Sequence, residues 1–167
     1  MVKAGRQRWQ GVLKQLQMWS SAINYKRMPG NDRRKTQALI ESIEHLALRL
    51  DSAEQVRLQS VEAVDEPLRK PLGRIHDACV ESFQLIVSSL ADLKPIPDLP
   101  DTRSLVRTIE SRGDDLHRAG AADEGVRASV LRFMSATAQL GSLAEKIHDC
   151  RDKANAIDWK AWNRNYF

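Results

Sequence analysis

The sequence predicts an all-α fold, an antiparallel up-and-down helical bundle of four to five helices in a single domain. Apolar residues return at spacings of three and four over long stretches, which is the pattern of amphipathic helices. Helix formers dominate the 167 residues, which include only 8 Gly and 6 Pro. No segment alternates apolar and polar residues over the length of a strand. Because 42% of the residues are hydrophobic, the chain can bury a core.

The first two helices are predicted on either side of a short turn, over about 4–27 and 32–62. The motif MPGND at 28–32 separates them, since Pro29 disfavours helix at the residue before it and Gly30 permits a turn. Either Asn31 or Asp32 can cap the second helix. The apolar seams are expected to hold Trp9, Val12, Leu16, Trp19 and Ile23, and then Leu39, Ile43, Leu46 and Leu50.

The remaining helices are predicted over about 67–93, 102–118 and 124–154. The motif KPIPDLPD at 94–101 contains three prolines and predicts a stiff connector, after which Thr102 is expected to cap the fourth helix. Cys79 and Cys150 keep the rhythm of the apolar faces, so they are expected to be buried free thiols, with a disulfide as the alternative. Residues 155–167 follow as an aromatic and basic tail.

The charge of the chain is concentrated at its two ends. Residues 1–35 contain nine Lys or Arg and one acid, for a net +8, and the last seventeen residues carry +2. Residues 36–150 carry −6. Five of the bases flank the first turn, at 26, 27, 33, 34 and 35. They form a solvated basic turn, a surface that attracts anionic lipid headgroups, or a nucleic-acid contact. Nucleic acid is the least favoured partner, because the first helix is a long bundle helix and a recognition helix that reads the major groove needs polar side chains at its start.

We find no catalytic constellation and expect neither an enzyme nor a cofactor. Each of the four histidines has an acid nearby; Glu41 lies four residues before His45, and Asp114 lies three before His117. Such spacing could supply a metal centre inside a bundle. The other two histidines stand one step from the apolar seam, so surface or boundary histidines are expected rather than a metal site. The glycines are isolated and form no phosphate-binding loop.

The chain closes with AIDWKAWNRNYF at 156–167, and three explanations remain open for this ending. It is a helix end folded on the bundle with Trp159 and Trp162 as staples at i, i+3, or a peptide that docks a partner. In the third explanation it approaches a membrane, where Trp and Tyr favour the interface and Lys and Arg the cytoplasmic side. The first and third are compatible, and the basic N-terminal part strengthens the third.

This ending resembles the soluble region of the fusaric-acid-resistance and aromatic-acid-exporter family of bacterial inner-membrane proteins. The segment RWQGVLKQLQMW at 8–19 is similar to the start of that region. The resemblance implies a cytoplasmic helical domain that lies between two sets of membrane helices of a larger, proton-driven efflux protein for aromatic carboxylic acids. The isolated chain is not expected to transport. The residues that carry the match at the ending are Ile157, Asp158, Trp159, Trp162, Arg164 and Phe167.

The resemblance therefore implies a non-catalytic regulatory or assembly domain on the cytoplasmic side of the bacterial inner membrane. Its expected partners are the membrane helices of the same parent chain, with a homo-oligomer and an aromatic acid ligand as further candidates. Near the bilayer, cations would attract anionic substrates. A soluble helical protein–protein interaction or adaptor domain is the alternative, and a nucleic-acid-binding regulator comes third. The expected membrane-proximal cations are Arg6, Arg8, Lys160 and Arg164, and the expected tail-docking residues are Trp159, Trp162 and Phe167.

Overall fold

The computed structural model describes residues 2–22, 30, 32–60, 66–119 and 124–164. These residues form an all-α helical bundle without a strand among them, which confirms the predicted fold class. The described helices are α1 (Val2–Ala22), α2 (Arg33–Ser60), α3 (Glu66–Ala91), α4 (Thr102–Ala119), α5 (Glu124–Asn155) and α6 (Trp159–Arg164). The helix α6 lies inside the stretch that the sequence presents as a tail.

The chain divides into two compact units, whereas the sequence predicts one domain. Unit 1 contains residues 1–47, 83–99 and 148–167, and unit 2 contains residues 48–82 and 100–147. The helices α2, α3 and α5 contribute residues to both units. The length of these helices explains why they belong to both units. A helix of 28 residues such as α2 is about 42 Å long, which is longer than a single small core.

Unit 1 contains an antiparallel pair of helices, α1 and the first half of α2. Gln17 Nε2 donates a hydrogen bond to Glu44 Oε1 at 3.1 Å, and the turn at Gly30 lies midway between them in sequence. Leu39, Ile43 and Leu46 of the predicted α2 seam are buried, as is Leu16 of the predicted α1 seam. The side chains of the other predicted seam residues lie outside the described part: Trp9, Val12, Trp19, Ile23 and Leu50. The buried apolar residues of unit 1 include Leu16, Leu39, Ile43, Leu46, Ile86, Leu90, Ile96, Cys150, Ile157, Trp159 and Trp162.

Unit 2 contains a second antiparallel pair, α4 and the first part of α5. Three contacts join the two helices, and the contacting positions increase along α5 as they decrease along α4. Glycines allow a close approach at two of these contacts. A Cβ on Gly113 would lie 3.1 Å from Phe133 Cε1, and one on Gly141 would lie 3.1 Å from Val106 Cγ1. The third contact is the ion pair of Arg103 with Glu145, at 2.9 Å.

Three of the described helices begin beside an aspartate that acts as the N-cap. Each carboxylate accepts a hydrogen bond from the backbone N–H three residues later, which satisfies a donor that the helix cannot pair. The expected Thr102 cap of α4 is wrong, since Asp101 fills that role and Thr102 is buried. The bonds are Lys35 N to Asp32 Oδ1 (2.7 Å), Ser104 N to Asp101 Oδ1 (3.0 Å) and Ala161 N to Asp158 Oδ1 (2.9 Å).

Candidate functional site

After the end of α5, the chain turns and stays within unit 1. The N–H of Ala156 donates to Asp152 O at 3.1 Å, and that of Ile157 donates to Ala154 O at 3.2 Å. The Ile157 side chain is buried, and the Asp158 cap then starts α6. A six-residue helix has little stability of its own. Its place must therefore come from the side chains that it buries.

The two tail tryptophans are almost fully buried in unit 1. Trp159 is 3% exposed and Trp162 is 1% exposed. Their ring centroids lie 5.7 Å apart with the planes tilted by 50°, a favourable arrangement for two aromatic rings. Trp159 Nε1 donates to Ala154 O at 2.9 Å. Trp162 Nε1 is buried and has no hydrogen-bond partner among the described residues. Phe167, the third expected docking residue, lies outside the described residues.

The connector between α3 and α4 is fastened to the end of α5. The Asn155 side chain accepts from Ile96 N at 2.8 Å and donates to Ile96 O at 3.0 Å. Arg151 Nε donates to Pro97 O at 3.1 Å, and its guanidinium pairs with Asp98. Ile96 itself is 2% exposed. No sequence pattern marks this clamp, because its partners lie more than fifty residues apart.

Gly30, the described residue between α1 and Asp32, lies close to Asp158 at the start of α6. Gly30 has φ +90°, which favours glycine, and a Cβ there would lie 3.6 Å from Asp158 Oδ2. Lys35 Nζ donates to Gly30 O at 2.7 Å. The first two residues of α2, Arg33 and Arg34, therefore belong to the same end of unit 1 as Lys160 of α6. We call these three exposed residues the basic end.

The cations of the basic end have no carboxylate partner among the described residues. The two nearby aspartates, Asp32 and Asp158, cap helices and form no ion pair with these three cations in the described part, so the basic end keeps a net positive charge. The first turn of α2 contains no acidic residue. Cations there oppose the positive end of the helix dipole, which costs stability rather than adding to it.

The structure does not bring all of the expected membrane-proximal cations together. Arg6 and Arg8 belong to the first turns of α1, and Arg6 lies eleven residues before Gln17, or about 16 Å along the helix. Arg33 lies eleven residues before Glu44, the partner of Gln17, on the opposite side of that contact. Arg6 and Arg33 are thus separated by about 33 Å along the antiparallel pair. The side chains of the first turns of α1 and of Arg164 lie outside the described part.

Both cysteines are free and buried. Burial raises the pKa of Cys79 to about 12. Burial, assisted by the charge of Asp149, raises the pKa of Cys150 to about 12. Asp149 accepts from Ser42 Oγ at 2.9 Å and pairs with Lys153 Nζ at 2.7 Å. Thiols held in the neutral form are poor nucleophiles and poor metal ligands, so these two stay structural at neutral pH.

A half-open depression of about 290 Å³ lies between α4 and α5 within unit 2. Its floor is made of small residues and Val106, and its rim holds two arginines and two glutamates that balance in charge. Arg103 is already occupied by Glu145 through two hydrogen bonds. This surface offers little selectivity for an anion. The lining residues are Arg103, Val106, Arg107, Glu110, Ala138, Gly141, Ser142, Ala144 and Glu145.

The described residues contain no group of three or more His, Cys, Asp or Glu side chains that could hold a metal ion. Glu41 and His45, one of the two pairs with metal-ligand spacing, are both exposed. Within the same described part, no helix is both long and apolar enough to cross a bilayer. Comparison with protein-family models, with curated proteins and with solved structures gave no match.

Proposed function

We propose that this chain is a non-catalytic cytoplasmic domain of an aromatic carboxylic acid efflux protein of the bacterial inner membrane. The observation that carries the proposal is the placement of the residues through which the sequence resembles that family. Ile157, Trp159 and Trp162 are buried, and Asp158 caps α6. Each of these four residues has a definite structural task, and this supports the proposal.

Between the two proposed roles, assembly is better supported than ligand sensing. The depression in unit 2 is open, and its two cations are balanced by two carboxylates. An aromatic acid needs an apolar enclosure and an uncompensated donor for its carboxylate. The connector and the tail are instead held to unit 1 by hydrogen bonds and by buried side chains, which suits a module that positions neighbouring membrane helices. Calorimetry and tryptophan fluorescence with benzoate or fusaric acid test the sensing role, and absence of binding would leave assembly.

An efflux measurement in a bacterium that carries the gene tests the proposal. Deletion of the gene is expected to slow the export of a radiolabelled aromatic acid and to sensitise the cells to it. The wild-type gene should restore export. A gene with Trp162→Ala should not restore export, because the substitution removes a buried tail side chain. A gene with Met18→Ala should restore export, because the Met18 side chain is 61% exposed. Wild-type export rates in the deletion strain would refute the proposal.

A helical adaptor domain is the second candidate, and one feature of α5 favours it. Leu131 is 55% exposed and Met134 is 36% exposed on the same helix. Neighbouring exposed apolar side chains are typical of protein contacts. In this case, deletion leaves aromatic-acid export unchanged. A complex purified from the native cells should then be lost with Leu131→Glu and kept with Met18→Ala.

A further inference from the structure

We infer that the basic end, formed by Arg33, Arg34 and Lys160, docks on a bilayer surface of anionic phospholipid. The juxtaposition that carries the inference is the close approach of Gly30 to Asp158, since a Cβ on Gly30 would lie 3.6 Å from Asp158 Oδ2. It brings together cations that lie more than 120 residues apart in sequence. Lipid binding of this kind goes beyond aromatic-acid export and does not depend on it.

Stability of the isolated fold does not explain these cations. Asp32 and Asp158 cap helices, and among the described residues no carboxylate forms an ion pair with Arg33, Arg34 or Lys160, so the basic end keeps a net positive charge. Two of the three cations sit where the dipole of α2 is positive. An arrangement that carries excess positive charge in the free protein becomes favourable beside a layer of phosphate groups.

A bilayer fits the basic end better than nucleic acid does. Proteins that hold single-stranded nucleic acid stack bases on exposed aromatic rings, but the Trp159 and Trp162 rings beside the basic end are turned inward. Duplex binding at physiological salt typically engages about 6–10 phosphates, more than three cations can contact. A lipid surface does not require a minimum set of phosphate contacts, because each Lys or Arg near it independently strengthens partitioning by about five-fold.

Vesicle co-sedimentation of the 167-residue chain tests the inference. The probes are vesicles of phosphatidylcholine alone and vesicles in which part of it is replaced by phosphatidylglycerol. Wild type is expected to sediment only with the anionic vesicles, and less so as salt rises. The triple variant Arg33→Gln, Arg34→Gln, Lys160→Gln should partition about a hundred-fold more weakly, at about five-fold per side chain.

A matched control separates the basic end from net charge. The triple variant Arg107→Gln, Arg112→Gln, Arg132→Gln removes the same charge from exposed positions of unit 2 and should bind as wild type does. The double variant Arg33→Lys, Arg34→Lys keeps the charge and should also bind. Thermal melting checks folding, and loss of the α2 cations should leave the midpoint unchanged or higher.

Three results would overturn the inference. The wild-type chain could fail to bind anionic vesicles, or the control triple could lose as much binding as the basic-end triple. The third is a basic-end triple that weakens binding to duplex DNA while vesicle binding stays at the wild-type level, which would assign the surface to nucleic acid. Because no aromatic acid is involved, all three outcomes are independent of the efflux measurement.

Discussion

Replacement of each tail tryptophan by phenylalanine separates the packing of the indole from its hydrogen bonding. The two side chains are comparably buried, at 3% and 1% exposure for Trp159 and Trp162. They differ in the indole N–H, because that of Trp159 donates to Ala154 O whereas that of Trp162 has no partner among the described residues. Trp159→Phe therefore removes a hydrogen bond, and Trp162→Phe removes a buried donor that made none.

The expected difference between the two variants follows from these contacts. A hydrogen bond of this type contributes about 0.5–1.5 kcal/mol net, and a buried donor without a partner costs about 1–3 kcal/mol. The loss of indole volume is common to both variants and cancels. Trp159→Phe should thus have a lower free energy of unfolding than Trp162→Phe by at least about 1.5 kcal/mol.

Urea unfolding followed by far-UV circular dichroism measures this difference without relying on tryptophan emission. The alanine variants at both positions serve as controls for burial and should each lose about 3–5 kcal/mol. If Trp162→Phe loses as much stability as Trp159→Phe, or more, the hydrogen-bonding account of the tail is wrong.

Three further substitutions, a thiol-labelling experiment and a pH series test the packing around this site and in unit 2. Gly113→Ala should destabilise by about 1–3 kcal/mol because its methyl group meets an aromatic ring. Gly73→Ala, with open space at its Cβ, should stabilise by about 0.5–1 kcal/mol; thermal melting measures both. Asn155→Ala should lose about 1–3 kcal/mol in urea unfolding, since two hydrogen bonds to the connector disappear. Cys79 and Cys150 should resist a thiol reagent at pH 8 until urea unfolds the chain. Burial raises the pKa of both thiols from 9.0 to about 12. Their contribution to the free energy of unfolding is therefore fully present below pH 9 and is lost as the pH rises from 9 to 12, by at most about 1.4 kcal/mol per pH unit per thiol.

Each of these expectations has a contradicting outcome. Equal melting points for the two glycine variants would mean that the close approach of α4 and α5 is absent. An Asn155→Ala variant as stable as wild type would mean that the hydrogen bonds of Asn155 to the connector do not stabilise the fold. Rapid labelling of either thiol in the native chain, or a stability that rises between pH 9 and 12, would contradict burial of the neutral thiols.

The helices were accessible to sequence reasoning because their signal is local. The α2 seam of Leu39, Ile43 and Leu46 repeats at helical spacing, and all three side chains are buried. Asp32 was one of two candidate caps, and its bond to the N–H of Lys35 decides between them. The turn at Gly30 follows from the proline before it and the conformational freedom of glycine.

The parts that sequence reasoning missed depend on distant partners. The Asn155 clamp joins residues 59 positions apart. Nothing in the sequence around an asparagine at the end of a helix predicts such a bond. The convergence of Arg33 with Lys160 has the same origin, because only the folded chain places the turn beside the tail. The Thr102 cap failed for a local reason, since the aspartate one residue earlier competes for the same backbone N–H.

Hydrogen exchange at the indole N–H of Trp159 tests most directly whether residues 156–164 are a folded part of unit 1. The signal can be assigned by its loss in Trp159→Phe. A buried N–H bonded to Ala154 O at 2.9 Å is expected to exchange at least about a hundred-fold more slowly than an exposed indole, which corresponds to a local opening free energy of about 2.7 kcal/mol. Exchange at the rate of a free tryptophan would show an undocked tail, and both the family-motif argument and the basic end would lose their support.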